Sequence, residues 1–183
     1  TDAASAQVVK NTAQRENFTP LCEVVSEKSL VNGIVGLLAT GGSTNHTLHI
    51  PAIAKAAGIT ITWDDFAELS KVVPLLAKVY PNGSSDVNQF HDAGGMAYII
   101  EQLLKGGFLH NDVKTVIGTG LDAYAKNPVL GENDTLVWEK AFNKDESIIR
   151  SIDNPFSHEG GLRLLTGNLG RGVSKISAIA SEN

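Results

Sequence analysis

An apolar, helix-like run breaks off at two glycines and gives way to four polar residues. Leu30, Ile34, Leu37 and Leu38 come first, then Gly41-Gly42, then Ser43-Thr44-Asn45-His46. The i, i+4, i+7, i+8 spacing predicts a helix that buries one face and stops at the glycine pair. The glycines free the backbone, and the next four side chains offer two hydroxyls, an amide and an imidazole. A loop of this kind opening a helix exposes unpaired N–H groups at the positive end of the helix dipole, where a carboxylate or phosphate is favoured. The same residues also read as a plain connector, with Gly41 and Gly42 ending one helix and Ser43, Thr44 or Asn45 capping the next. On the first reading, Gly41, Gly42, Ser43, Thr44, Asn45 and His46 are the candidate binding residues.

The rest of the chain reads as mostly helical, with short strands toward the end. Residues 45–57 continue as a helix in which Pro51 must fall within the first turns, and Gly58 closes it. Thr62-Trp63-Asp64-Asp65 resembles a capping box leading into a helix that Pro74 limits. Asp64 and Asp65 point in different directions on such a helix and are expected to serve the cap and dipole. The segment 80–85 is a turn by composition, and Met96, Ile99, Ile100, Leu103 and Leu104 mark an amphipathic helix ending at Gly106-Gly107. Residues 113–117 are a strand candidate, while Asn127-Pro128 and Gly131-Glu132-Asn133-Asp134 predict an irregular, exposed segment. Asp153-Asn154-Pro155 breaks the chain again and suggests a boundary near 153. Beyond it, 162–166 and 173–179 are β-prone runs separated by Gly167-Asn168-Leu169-Gly170.

Three catalytic templates fail. The five histidines, His46, His49, His91, His110 and His158, have no metal-site spacing, although His46 and His49 lie three apart on one helix face and offer either a shared metal or a surface role. Gly41-Gly42-Ser43-Thr44-Asn45 lacks the last glycine of a nucleophile elbow. Gly118-Thr119-Gly120 is followed by Ala123 where a dinucleotide fingerprint needs a third glycine.

Composition excludes further classes. A net charge of -5 without a lysine or arginine cluster argues against a nucleic-acid partner. The apolar run 34–39 is far shorter than the roughly 20 residues that span a bilayer, so no membrane association is expected. The N-terminus lacks the basic and apolar regions of a signal peptide, and the one cysteine, Cys22, excludes an internal disulfide. Both fit a cytoplasmic protein. No initiator methionine is present, so the chain is expected to begin inside a longer protein.

Residues 32–49, centred on Gly41-Gly42-Ser43-Thr44-Asn45-His46, resemble the Gly-Gly-Ser-Thr-Asn region of the dihydroxy-acid and sugar-acid dehydratases. Ile61-Thr62-Trp63-Asp64-Asp65-Phe66, Val79-Tyr80-Pro81-Asn82-Gly83, and Asn154-Pro155-Phe156-Ser157-His158-Glu159-Gly160-Gly161 running on to Thr166-Gly167-Asn168-Leu169-Gly170-Arg171 extend the likeness along the chain. His46 and the Pro-Phe-Ser-His stretch tilt it toward the phosphogluconate branch.

The resemblance implies an α/β fold: residues 1–152 as the helix-rich latter part of a cluster-carrying α/β domain, and 153–183 as the first strands of a β-rich domain. It implies a hydro-lyase that dehydrates 6-phosphogluconate, a phosphosugar acid, to 2-dehydro-3-deoxy-6-phosphogluconate in the Entner-Doudoroff pathway. An iron-sulfur cluster, of 4Fe-4S type, would act as a Lewis acid, helped in some members by a divalent cation. The family's cluster cysteines lie upstream of the matched region and its serine-bearing signature lies downstream. Hence no catalytic residue and no metal ligand is expected in this chain, and the isolated chain is expected to be inactive. Residues 41–46 would bind substrate, with His46 reading the phosphate or else capping the helix. A homodimer is the inherited expectation for the whole enzyme. The alternatives are a dihydroxy-acid dehydratase of branched-chain amino-acid synthesis, or a non-catalytic interaction module on the same architecture.

Overall fold

A computed structural model describes residues 2–13 and 18–179. Helices α1 (Asp2–Ala13) and α2 (Leu21–Val24) precede α3 (Glu27–Thr40). At the start of α3, the Ser26 hydroxyl accepts from the Ser29 N–H at 3.3 Å, and the Ser29 hydroxyl accepts from the Ser26 N–H at 2.8 Å. Two otherwise orphaned donors are thereby satisfied. Leu30, Ile34, Val35, Leu37, Leu38 and Ala39 form its buried face, as the apolar spacing predicts. The helix stops where predicted: Gly41 takes a left-handed φ of 57°, and the Gly42 N–H reaches back 2.9 Å to the Leu37 carbonyl.

Helix α4 (His46–Ala56) lies against α3, and α5 (Trp63–Ser70) follows. Asp65 accepts from both the N–H and the hydroxyl of Thr62, at 2.6 and 2.9 Å, so the capping role read from sequence is present. Asp64 instead pairs with Arg171. Short α6 (Val87–Asp92) leads into α7 (Gly95–Lys105), which buries Ile99 and Leu103 against the same core.

After α5 the chain does not resume a helix. Residues 73–79 run extended through the middle of the core, with Val73, Leu75, Leu76 and Ala77 buried. A buried extended segment must find partners for its peptide groups on both sides. Ala39 at the end of α3 accepts from the N–H groups of Leu76 and Ala77, at 2.7 and 3.2 Å. The Arg150 N–H donates to Leu76 O at 2.8 Å, and Leu75 exchanges bonds with Ser157 and Phe156, each at 2.9 Å. The α3 terminus, the central strand-like segment and residues 148–157 therefore form one hydrogen-bonded unit.

Three local expectations are corrected. Residues 113–117 are not a strand but enter a tight turn: Thr115 exchanges backbone bonds with Gly118, and its hydroxyl donates to Gly118 O at 2.7 Å, leaving one bridge between Lys114 and Thr119. The segment expected to be irregular is an antiparallel hairpin, β1 (Lys126–Leu130) with β2 (Leu136–Lys140). Pro128 obscured it, yet each strand of a two-stranded ribbon has an open edge where a missing N–H is tolerated. A second hairpin joins β3 (Leu162–Gly167) to β4 (Gly170–Lys175) through Asn168-Leu169. The run expected to stay β to 179 ends at Lys175 and turns into a 3-10 turn over Ile176–Ala178. Strand β3 packs on α5, where the buried Ser70 hydroxyl donates 2.6 Å to Leu162 O. Among the described residues the fold is thus seven helices and two small antiparallel sheets, an α/β mixture as expected. No described helix is long and apolar enough to cross a membrane.

Candidate functional site

Three of the stretches singled out in the sequence, 32–49, 79–83 and 154–161, meet around Gly41. Asn82, in the turn after the central segment, donates from Nδ2 to Gly41 O at 2.7 Å. Its Oδ1 accepts from the Ser177 hydroxyl at 3.0 Å, and that oxygen lies 3.2 Å from Gly161 O. The Gly161 N–H in turn donates to Leu38 O at 3.3 Å. Close approach requires glycine here. A Cβ on Gly41 would fall 2.1 Å from Asn82 Nδ2, and one on Gly161 would fall 2.9 Å from Gly41 Cα. The glycine-polar loop is thus clamped from both sides, by the 80–85 turn and by the segment leaving β4.

The clamped loop forms one wall of a cavity of about 690 Å³. Gly41, Gly42, Ser43 and Thr44 line it on one side, with Tyr80 and Pro81, Phe90 and Met96, and Lys175 around the rest. Among the described residues, neither the Ser43 nor the Thr44 N–H donates to a protein acceptor. The Ser43 Oγ accepts from the Asn45 N–H at 3.3 Å, which leaves its own proton for an outside acceptor. The residues lining this side of the cavity therefore carry donors that no acceptor among the described residues takes.

The six predicted residues do not all face that cavity. His46 lies on a neighbouring apolar cavity of about 400 Å³, lined also by Leu37, Met96, Ile100 and Leu103, and Gly42 borders both. Its Nδ1 is 3.1 Å from Ser43 O, and since a carbonyl oxygen can only accept, Nδ1 is the donor in this contact. Asn45 is exposed and borders neither cavity; its carbonyl accepts from the N–H groups of Leu48 and His49 at 3.0 and 3.1 Å. Sequence reasoning missed Tyr80, Asn82, Lys175 and Ser177. The signal was partial: Val79-Tyr80-Pro81-Asn82-Gly83 stood out as a stretch, but nothing in it tied Asn82 to Gly41.

Metal ligation finds no support in these residues. No group of three or more His, Cys, Asp or Glu among the described residues could hold a metal ion, and Cys22 is exposed. The residues present do not fit an iron-sulfur cluster, whose binding needs several thiolates.

Sequence comparison gives the family to which this glycine-clamped loop and cavity belong. The dihydroxy-acid/6-phosphogluconate dehydratase N-terminal family matches residues 1–124, and the chain belongs to that family. Over its whole length the chain is 56% identical to a phosphogluconate dehydratase of Pseudomonas aeruginosa and 51% identical to one of Escherichia coli K12, covering 30% of each. It is 34% identical to a dihydroxy-acid dehydratase of Prochlorococcus marinus, over 97% of the chain and 30% of that protein. The chain spans about 30% of the length of the relatives it matches.

Proposed function

We propose that the whole protein is a hydro-lyase that removes water from 6-phospho-D-gluconate to give 2-dehydro-3-deoxy-6-phospho-D-gluconate, the first dedicated step of the Entner-Doudoroff pathway. The observation that carries this reading is identity: 50–56% to phosphogluconate dehydratases against 34% to the dihydroxy-acid dehydratase. The same reading makes it a cytoplasmic homodimer with a 4Fe-4S cluster, and in some members a divalent cation, held by residues outside this chain.

Taking a proton from carbon 2 beside an ionised carboxylate develops charge next to charge, so donors held in place before reaction are what such a site needs. Gly41, Gly42, Ser43 and Thr44 are our candidates for that wall: two glycines allow close approach, and two hydroxyls with two free N–H groups meet substrate oxygens. Asn45 and His46 hold the start of α4 behind them. Residues 153–183 are read as the opening of the second, β-rich domain.

The test is turnover by the purified whole protein, comparing 6-phosphogluconate with a branched-chain dihydroxy acid by release of the 2-keto acid. Preference for the phosphosugar acid is expected. Preference for the dihydroxy acid would move the protein to the other branch, and turnover of neither would favour the non-catalytic module.

A further inference from the structure

Lys175 is the last residue of β4, and it lines the same cavity as Ser43 and Thr44. It is half-buried, yet among the described residues no carboxylate pairs with it. A cation drawn partly out of water without a counter-ion costs stability unless something outside the protein compensates it. Burial alone holds its ammonium below the ordinary lysine value, with no carboxylate acting the other way. The remaining walls point to the same deficit: among the described residues the Ser43 and Thr44 N–H groups have no protein acceptor, their two hydroxyls can donate, and Phe90 and Met96 bring no charge.

We propose that Lys175 is a binding and specificity residue whose Nζ holds an oxyanion of the sugar acid, its phosphate or its carboxylate, against the Ser43-Thr44 wall. The inference rests on the reading that this cavity receives substrate. It explains why β4 ends in a lysine that no carboxylate among the described residues pairs.

The experiment uses the whole protein with Lys175→Met and Lys175→Arg. Turnover of 6-phosphogluconate by the unsubstituted enzyme tests the substrate reading by itself, whereas the variants test Lys175. The methionine variant is expected to lose at least about tenfold in kcat/KM, mainly through KM, and the arginine variant to regain most of it, as a lost or kept charge-assisted bond requires. Inhibition by inorganic phosphate separates the two anions. A weaker phosphate inhibition in Lys175→Met assigns the phosphate; an unchanged one, with the kcat/KM loss intact, assigns the carboxylate. A folded methionine variant within twofold of the parent overturns the proposal. So does a loss that arginine fails to restore and that comes with a lower melting temperature, since that is the mark of a structural lysine. If the parent does not turn over 6-phosphogluconate, the thermal shift given by inorganic phosphate still reads Lys175: a shift in the parent that Lys175→Met abolishes supports it, and equal shifts, or none, overturn it.

Discussion

The indole N–H of Trp63 donates 3.0 Å to the carbonyl of Thr47, the oxygen that Pro51 deprives of its helical partner. In an α-helix the N–H of residue 51 would bond to the carbonyl of residue 47, and proline has no N–H to give. Thr47 is buried, so water is a poor substitute. An aromatic side chain from the first turn of α5 therefore completes α4 from outside.

That relationship predicts a conditional effect. Trp63→Phe should destabilise the protein by about 1 to 3 kcal/mol, the usual cost of stranding a buried acceptor. With Pro51→Ala already present, a backbone donor returns to Thr47 and the same change should cost less. Chemical denaturation of the four proteins of this cycle would show it, and equal costs in both backgrounds would mean that Trp63 acts through packing alone.

Gly41→Ala should fail on two counts, because the φ of 57° disfavours a side chain and because the new Cβ meets Asn82. Activity and melting temperature of the whole enzyme should both fall. Ser177→Ala removes one bond of the clamp and is expected to cost about 1 kcal/mol of stability. A larger drop in kcat/KM than in stability would show that the clamp fixes the loop for binding.

Within the loop the structure separates neighbours. Ser43→Ala should lower kcat/KM about tenfold or more if its hydroxyl meets a charged oxygen, whereas Asn45→Ala should stay within about twofold. His46→Ala should change 6-phosphogluconate and gluconate turnover by the same factor, because its Nδ1 is engaged with Ser43 O and its ring borders the other cavity. A selective loss on the phosphorylated substrate would instead make His46 the phosphate reader.

Lys175 also predicts a pH effect on the ligand-free protein. Its folded value is lowered by burial, so between that value and the unfolded value near 10.5 the unfolded chain binds more protons, and stability rises with pH across this window. At neutral pH the buried charge is a penalty. Lys175→Met should therefore raise the melting temperature at pH 7 while removing the rise attributable to this group at alkaline pH, both measurable by thermal denaturation in matched buffers.

Patterns confined to a few neighbouring residues were readable from the sequence. The apolar spacing of Leu30, Ile34, Leu37 and Leu38, the stop at Gly41, the Thr62-Asp65 cap and the β-prone residues of β3 act within one or two turns of chain, and each appears where expected. The family was legible for the same reason, since its marks are contiguous stretches. Apart from the local Thr115-Gly118 turn, what was missed or misread was decided by partners distant in sequence. Residues 73–79 are extended because Ala39, Arg150 and Ser157 satisfy their peptide groups, not because of anything local beyond Pro74. Pro128 sits in a strand because β2 pairs on one edge and leaves the other open. Asn82 reaches Gly41 across 41 residues, Ser177 reaches Asn82 across 95, and Lys175 meets Ser43 at the cavity across more than 100, and periodicity carries no information at that range. The sequence by itself determined α3, α4, α5 and α7, their stops and the polar loop; only the tertiary structure decided which of those polar residues share a cavity, because burial and hydrogen-bond satisfaction are properties of the packed whole.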